Sequence, residues 1–279
     1  LEETEQLYGP PEPEPEPEPE PIGPEPELFR TAAEYRAAYH RRRRLLPAAA
    51  VVSLVPTLLL ALERFGIAVP GWSDDPRRQT YILLACLAVT ALLCRHVFFK
   101  GVKLLVRGRC TGELLIALSS LVSAADCVCR LMENQRTDTV PYASVSCLAL
   151  AFALWGCQRE SSGMYDTFRS ASLDDDPPYL VTDTPHGACK QRGAVSGFYT
   201  AAMRDNGAVL WQTVFLPLVL AASMVFAGLS SLSQERVDDF FLNWSAILAA
   251  GASFALPLGW GLAYGNLARH LQKAGCTVA

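Results

Sequence analysis

The stretch from Arg95 to Ala125, RHVFFKGVKLLVRGRCTGELLIALSSLVSAA, joins two apolar runs through a short basic segment. The first run predicts a helix that reaches a membrane–water interface near Phe98–Lys100, where Gly101 permits a bend. The basic segment then predicts a short amphipathic helix near residues 100–110, with three side chains toward lipid headgroups: Lys103, Arg107 and Arg109. The second run begins near Thr111, so we expect the chain to enter the membrane again there.

The composition of the whole chain agrees with a membrane protein. Of its 279 residues, 51% are hydrophobic, and the mean hydropathy is +0.19. The formal net charge is −4, but the acidic residues are concentrated in the first 30 positions. The remainder is mildly basic, and its basic residues form blocks between apolar runs. This pattern favours an integral membrane protein over a soluble domain of this size.

Six apolar runs have about the length that a transmembrane helix needs. They are approximately Leu45–Leu62, Tyr81–Phe99, Leu114–Met132, Val140–Trp155, Ala208–Leu232 and Phe240–Tyr264. Six spans place 18 of the 24 basic residues on the side that holds both termini, and by the positive-inside rule that side is cytoplasmic. The predicted fold is therefore an all-α integral membrane protein, a multi-pass six-helix transmembrane bundle with both termini cytoplasmic.

Polar segments divide the chain further. Residues 1–29 form a Pro/Glu-rich tail, which we expect to be a disordered, extended spacer or a docking strip for a partner. Residues 30–44 predict a basic amphipathic juxtamembrane helix, and its last four residues should bind anionic lipids rather than nucleic acid: Arg41, Arg42, Arg43 and Arg44. Residues 158–207 predict a small cytoplasmic insert, in which the YLVTD sequence has strand character and one hairpin is expected.

The nine cysteines lie mostly inside apolar runs. They are expected to be buried free thiols that act as small hydrophobic residues. Cys127 and Cys129 are two residues apart, so on a helix their thiols point to opposite faces. We predict neither a metal site nor a cofactor. No Ser–His–Asp set, zinc-ligand spacing or phosphate-binding glycine loop occurs, so no catalytic residue is proposed.

Two blocks resemble the heavy-metal-transporting P-type ATPases. In that family a kinked second helix forms a platform, and a motif Arg-x-Thr-Met-Asp-x-Leu-Ile-Ala-Leu opens the third span. The sequence RCTGELLIAL, Arg109–Leu118, is similar, with Glu113 as the acid. The sequence ALPLGWGLA, Ala255–Ala263, is similar to the ion-site helix, with Pro257 at the position of the proline. The resemblance covers about residues 80–279 and implies cation transport.

The same alignment with the family places the Thr111-Gly112-Glu113 tripeptide at the start of a span and not in a catalytic loop. In these pumps a Thr-Gly-Glu loop positions the hydrolytic water, whereas here the tripeptide should begin a membrane helix. The family's ligand cysteines are replaced by Leu256 and Leu258, and the phosphorylation motif is absent. We therefore expect a degenerate or truncated member, a fragment without catalysis of its own, whose implied partners are a cation and a downstream catalytic domain.

The resemblance and the polar residues of the spans suggest four ion-path candidates: Pro257, Ser253, Asn266 and Asp126. A proline frees the carbonyl four residues earlier, here that of Ser253. Asp126 is an acid inside a span, and a paired interfacial position beside Arg130 is the simpler explanation for it. Asn266 follows Pro257 by about two turns. A non-enzymatic membrane scaffold or regulator, or an unrelated small-solute permease, remains an alternative to a cation carrier.

Overall fold

The computed structural model describes residues 26–67, 69–132, 139–172, 179–184, 187–192, 197–204, 207–251 and 253–277. Within these ranges the protein is helical apart from one antiparallel hairpin. The expected Pro/Glu tail is outside the described residues up to position 25. His186 and residues 173–178 are outside them too, so the structure of the expected insert is described only in part.

The first helix, α1, runs from Leu28 to Arg64 without interruption. The expected juxtamembrane helix and first span are therefore one element, about 55 Å long, which exceeds the roughly 30 Å hydrocarbon core of a bilayer. Pro47 and Pro56 lie inside it. Prolines are tolerated in membrane helices because neighbouring helices and hydroxyl side chains satisfy the freed backbone groups. Thr57, the residue after Pro56, donates a further 2.8 Å hydrogen bond from its hydroxyl to the carbonyl of Ser53.

Helix α2, Pro76–Leu93, is followed at once by α3, Arg95–Val106, and the two axes differ by 67°. The bend therefore occurs at Cys94 and not at Gly101, where the sequence suggested it. Gly101 has a packing role instead, because a Cβ there would lie 2.9 Å from the backbone nitrogen of Leu114. Its missing side chain lets α3 lie against the start of α4, Gly112–Met132.

Helix α5, Ala143–Ala171, is the centre of the bundle. It packs most extensively against α1 on one side and α9, Ala255–Lys273, on the other. Its buried positions include Leu150, Leu154 and Cys157, each at most 1% exposed. Because so many of its residues face other helices, α5 can carry polar side chains that a lipid-facing helix could not carry.

The remaining elements follow α5 in order. Strands β1, Tyr179–Thr184, and β2, Gly187–Arg192, pair antiparallel in the hairpin that the sequence suggested. A short helix, α6, follows at Phe198–Ala202. Helix α7, Gly207–Ser233, then packs on α8, Phe240–Ala250, with a one-turn 3₁₀ helix between them.

Long apolar helices indicate a membrane protein, which agrees with the sequence. By length and composition, four runs could cross a bilayer: Leu28–Arg64, Gly112–Met132, Val209–Ser233 and Val237–Lys273. The bent α2–α3 pair would make a fifth. The expected fourth span, Val140–Trp155, lies largely in α5, which is not among these candidates. Its Gln158-Arg159-Glu160 sequence and its serines make the helix less apolar, and its neighbours rather than lipid cover it.

Candidate functional site

A lysine joins three helices at the end of the bundle that carries Arg41–Arg44, which we call the basic end. The Lys100 ammonium on α3 lies 2.8 Å from a carboxylate oxygen of Glu113 on α4. It also lies 2.9 and 3.2 Å from the two carboxylate oxygens of Glu160 on α5. The Glu113 side chain is 8% exposed, so this ion pair is largely shielded from water. A shielded pair of this kind restricts how α3 can move against α4 and α5.

An arginine attaches α1 to the same place. The Arg42 guanidinium donates a 2.8 Å hydrogen bond to the carbonyl of Cys157 and a short one to the Ser161 hydroxyl. We name these six residues, drawn from four helices, the Lys100 cluster: Arg42, Lys100, Glu113, Cys157, Glu160 and Ser161. Both carboxylates contact Lys100, and Arg42 adds a second cation to the set, so its formal charges balance without a bound ion.

The Lys100 cluster also contains the one group of possible metal ligands found in the described part of the chain. Ligand atoms of Glu113, Cys157 and Glu160 lie within 4.8 Å of one another. The ammonium of Lys100, however, lies within hydrogen-bond distance of both carboxylates. A metal ion would have to compete with this tethered cation. The geometry is therefore that of a neutralised ion-pair network, and the sequence-based expectation of no metal site stays a prediction.

A helix break lies beside the cluster. Helix α8 ends at Ala250 and α9 begins at Ala255, so the sixth apolar run is not one continuous helix. Pro257 is the third residue of α9 and has no backbone N–H to offer the Ser253 carbonyl. Ser253 is 4% exposed, and the Phe254 ring stacks on Phe152 of α5 with centroids 5.0 Å apart. Ser253 and Phe254 are thus covered by the protein, whereas Gly251 and Ala255 on either side of them are exposed.

Glycines bring this break into backbone contact with α5. A Cβ at Gly156 would overlap the carbonyl of Pro257, and a Cβ at Gly261 would overlap the carbonyl of Gly156. A Cβ at Gly112, the first residue of α4, would lie 3.1 Å from the Pro257 ring. Gly112 and Gly156 directly precede Glu113 and Cys157 in the chain. The helix break and the Lys100 cluster are consequently adjacent, and they share α4 and α5.

The structure brings together only two of the four ion-path candidates. Ser253 and Pro257 lie at the helix break. Asn266 lies about 13 Å beyond Pro257 along α9, where it accepts a 2.6 Å hydrogen bond from Arg159 of α5. Asp126 lies about 21 Å along α4 from Gly112. Asp126 is 2% exposed and Arg130 is 7% exposed, so this acid is buried inside the bundle.

The seven residues expected to bind lipid fall into two groups. Five of them are exposed at the basic end: Arg41, Arg43, Arg44, Lys103 and Arg107. Arg109 is half-buried, and Arg42 points into the bundle, where it contacts α5. Sequence reasoning placed Arg42 with its neighbours because four consecutive arginines cannot be separated without knowing which face of α1 meets α5.

Replacing Arg42 with Met should destabilise the protein, whereas Arg43→Met should not. Arg42 donates to Cys157 and Ser161, and hydrogen bonds of a charged group contribute roughly 1.5–3 kcal/mol each. Arg42 is only half-buried, so solvent screening reduces the expected loss for Arg42→Met to about 2 kcal/mol in the free energy of unfolding, measured by denaturant titration in mixed micelles. Arg43→Met removes the same charge from an exposed site and should stay within about 0.5 kcal/mol. Equal losses in the two variants would contradict the assignment.

Comparison of the chain with models of protein families, with curated proteins and with solved structures finds no match.

Proposed function

We propose that this polytopic protein is the membrane region of a P-type-ATPase-like cation carrier and that it binds a cation at the helix break before Pro257. The observation that carries the proposal is that break. It interrupts the sixth apolar run, leaves the Ser253 carbonyl without a helical partner and presses Pro257 against α5. Discontinuous helices that end inside a membrane protein provide carbonyl oxygens that can ligate cations. Asn266, Asp126 and a catalytic domain outside this chain remain further parts of the same hypothesis.

The two oxygens that Ser253 offers at the break indicate which cation class to test. A backbone carbonyl and a serine hydroxyl are hard ligands, which suit Na⁺, K⁺, Mg²⁺ or Ca²⁺ better than soft metals. Leucines at 256 and 258 supply no thiolate to the break, and this favours the hard cations further.

Tryptophan fluorescence can test cation binding, because Trp260 lies one turn after Pro257 and stacks on Tyr264 with centroids 5.7 Å apart. Titration of the chain in detergent with each hard cation should give a saturable change in emission for at least one of them. Trp260→Phe should abolish the signal. Ser253→Ala should weaken the affinity about five-fold, which corresponds to the loss of one hydrogen-bond-sized contact of roughly 1 kcal/mol.

Ser233→Ala provides a matched control, because Ser233 is an exposed serine at the end of α7. Its titration should equal that of the unaltered protein. If no cation changes the emission at any concentration, or if Ser253→Ala and Ser233→Ala titrate identically, the break is not a cation site.

A non-enzymatic membrane scaffold or regulator is the second candidate, and a specific observation favours it. The ion-pair network of the Lys100 cluster already balances its own charges, so this part of the bundle is complete without a transported ion. A scaffold predicts that all cation titrations are flat while the protein stays folded, which separates it from the carrier.

A further inference from the structure

A shallow groove of about 360 Å³ lies between the start of α1 and the end of α5. Phe29, Ala32 and Ala33 form its α1 side, and Tyr165 forms part of the α5 side. The two helices also pack on each other through Phe168 of α5, which is fully buried and stacks on Tyr35 of α1 with centroids 5.8 Å apart. Phe29 remains 75% exposed. We call this surface the Tyr165 groove.

Two arginines border the Tyr165 groove on opposite sides. The guanidinium carbons of Arg36 on α1 and Arg169 on α5 lie 6.0 and 5.9 Å from the centroid of the Tyr165 ring. Arg169 also donates a 3.3 Å hydrogen bond to the Tyr165 hydroxyl. Among the residues that the structure describes, neither guanidinium forms a salt bridge with a carboxylate. The groove therefore combines an aromatic face with two positive charges that have no paired acid there.

Two acids lie close to these arginines along the same helices, and neither forms a salt bridge with Arg36 or Arg169. Glu34 pairs with Arg30 at 3.8 Å. Asp166 lies three residues before Arg169, and its burial raises the pKa of its carboxyl, although Arg269, Arg169 and Arg159 oppose that shift. A ligand for the groove should thus be acidic, and the aromatic face requires it to be partly apolar and extended.

The chain carries such a segment directly before α1. Residues 10–27 read PPEPEPEPEPEPIGPEPE, and the first 27 residues contain ten glutamates and neither Lys nor Arg. Proline-rich segments in the polyproline II form dock on aromatic-lined grooves at low entropic cost. Alternate residues of that form are about 6 Å apart, so nearby glutamates of one segment can reach both Arg36 and Arg169 around the Tyr165 ring.

The length of the chain permits this contact. Arg36 lies about 12 Å along α1 from Leu28. The eight residues from Glu20 to Glu27 can extend by about 25 Å, and Gly23 interrupts the Pro/Glu repeat where the chain must reverse its direction. The segment Glu12–Glu20 can therefore lie along the groove without strain in the connection.

We propose that the Pro/Glu segment of residues 10–27 docks in the Tyr165 groove of its own chain, with its glutamates paired to Arg36 and Arg169. The docked segment covers the basic end of the bundle on the side of α1 and α5. This interaction is independent of cation binding at the helix break, so either can fail without the other.

Fluorescence anisotropy of the full chain tests the docking. A fluorophore is attached to the amine of Leu1, and the protein is placed in nanodiscs of neutral phosphatidylcholine, so that no anionic headgroup competes. Docking predicts a high anisotropy that falls toward the value of a free peptide in two cases. One is the addition of about 0.5 M NaCl, which screens charges over a few ångströms. The other is the double variant Arg36→Gln/Arg169→Gln.

Two further variants complete the experiment. Arg77→Gln/Arg78→Gln removes two exposed arginines that flank the start of α2, and it should keep the anisotropy of the unaltered chain. Replacing the five glutamates from Glu12 to Glu20 with glutamine leaves the bundle untouched and should release the segment as fully as the groove variant does. The proposal is overturned if the anisotropy of the unaltered chain is that of a free peptide, or if neutralising the five glutamates leaves it unchanged.

Discussion

Gly261→Leu is expected to lower the thermal midpoint of the protein in detergent by about 6–12 °C. A Cβ at Gly261 would overlap the backbone carbonyl of Gly156, and a backbone atom of a central helix cannot move aside as a flexible side chain can. Overpacking typically costs roughly 1–3 kcal/mol, and we expect about 3 kcal/mol because the clash involves backbone on both helices. For a chain of this size, each kcal/mol corresponds to about 2–4 °C.

Gly259→Leu is the matched control, since it lies two residues earlier in the same helix. A Cβ at Gly259 meets nothing within 4 Å, and the residue is exposed. Its midpoint should change by only about 1–2 °C, as for other surface substitutions. Accessibility of the buried thiols Cys147 and Cys157 to a fluorogenic maleimide would follow unfolding in both variants. If Gly259→Leu were as destabilising as Gly261→Leu, then close contact between α5 and α9 would not be the cause.

Lys100→Met is expected to have the second largest effect. It removes the cation that lies within 3 Å of carboxylate oxygens on both Glu113 and Glu160, and it leaves the shielded Glu113 carboxylate without its partner. Breaking a buried ion pair on one side costs roughly 3–5 kcal/mol. The Lys100 side chain is 34% exposed, so solvent screening reduces the expected loss in unfolding free energy to about 2–4 kcal/mol.

Two comparisons separate this loss from a general effect of removing a lysine. Lys103→Met changes an exposed lysine one turn later in α3 and should cost less than about 0.5 kcal/mol. The triple variant Lys100→Met/Glu113→Gln/Glu160→Gln removes the unpaired charges and should recover most of the lost stability, because a neutral replacement of an ion pair is often tolerated. A triple variant as unstable as Lys100→Met would show that the pairing is not the source of the effect.

Local sequence signals predicted where α4 begins and where the sixth apolar run is interrupted. The apolar run after Thr111 begins α4 at Gly112, and the proline at 257 lies where the sixth run breaks. These features depend on residues close together in the chain. The sequence placed the bend at Gly101, whereas it occurs at Cys94. A glycine between two helices can indicate either a flexible point or a close contact, and Gly101 makes a close contact with Leu114.

The Lys100 cluster could not be predicted from local patterns. Lys100 and Glu160 are 60 positions apart, and Arg42 lies 115 positions from Cys157. The one signal available was Glu113, an acid at the entrance of an apolar helix, which requires a partner if it is buried. The sequence divided α5 between a transmembrane span, Val140–Trp155, and an insert that begins at residue 158, whereas the helix continues to Ala171 and packs between α1 and α9.

The central claim, that a cation binds at the break before Pro257, is tested most directly by the stoichiometry of cation binding. The intact chain in neutral nanodiscs is dialysed to equilibrium against radioactive Na⁺, Mg²⁺, Ca²⁺ or the K⁺ analogue Rb⁺, and the bound cation is counted. We predict about one saturable cation per chain for one of the four, which weakens at least ten-fold in Pro257→Ala, where the restored N–H can bond the Ser253 carbonyl. Binding of no cation, or equal binding by Pro257→Ala, would contradict the account.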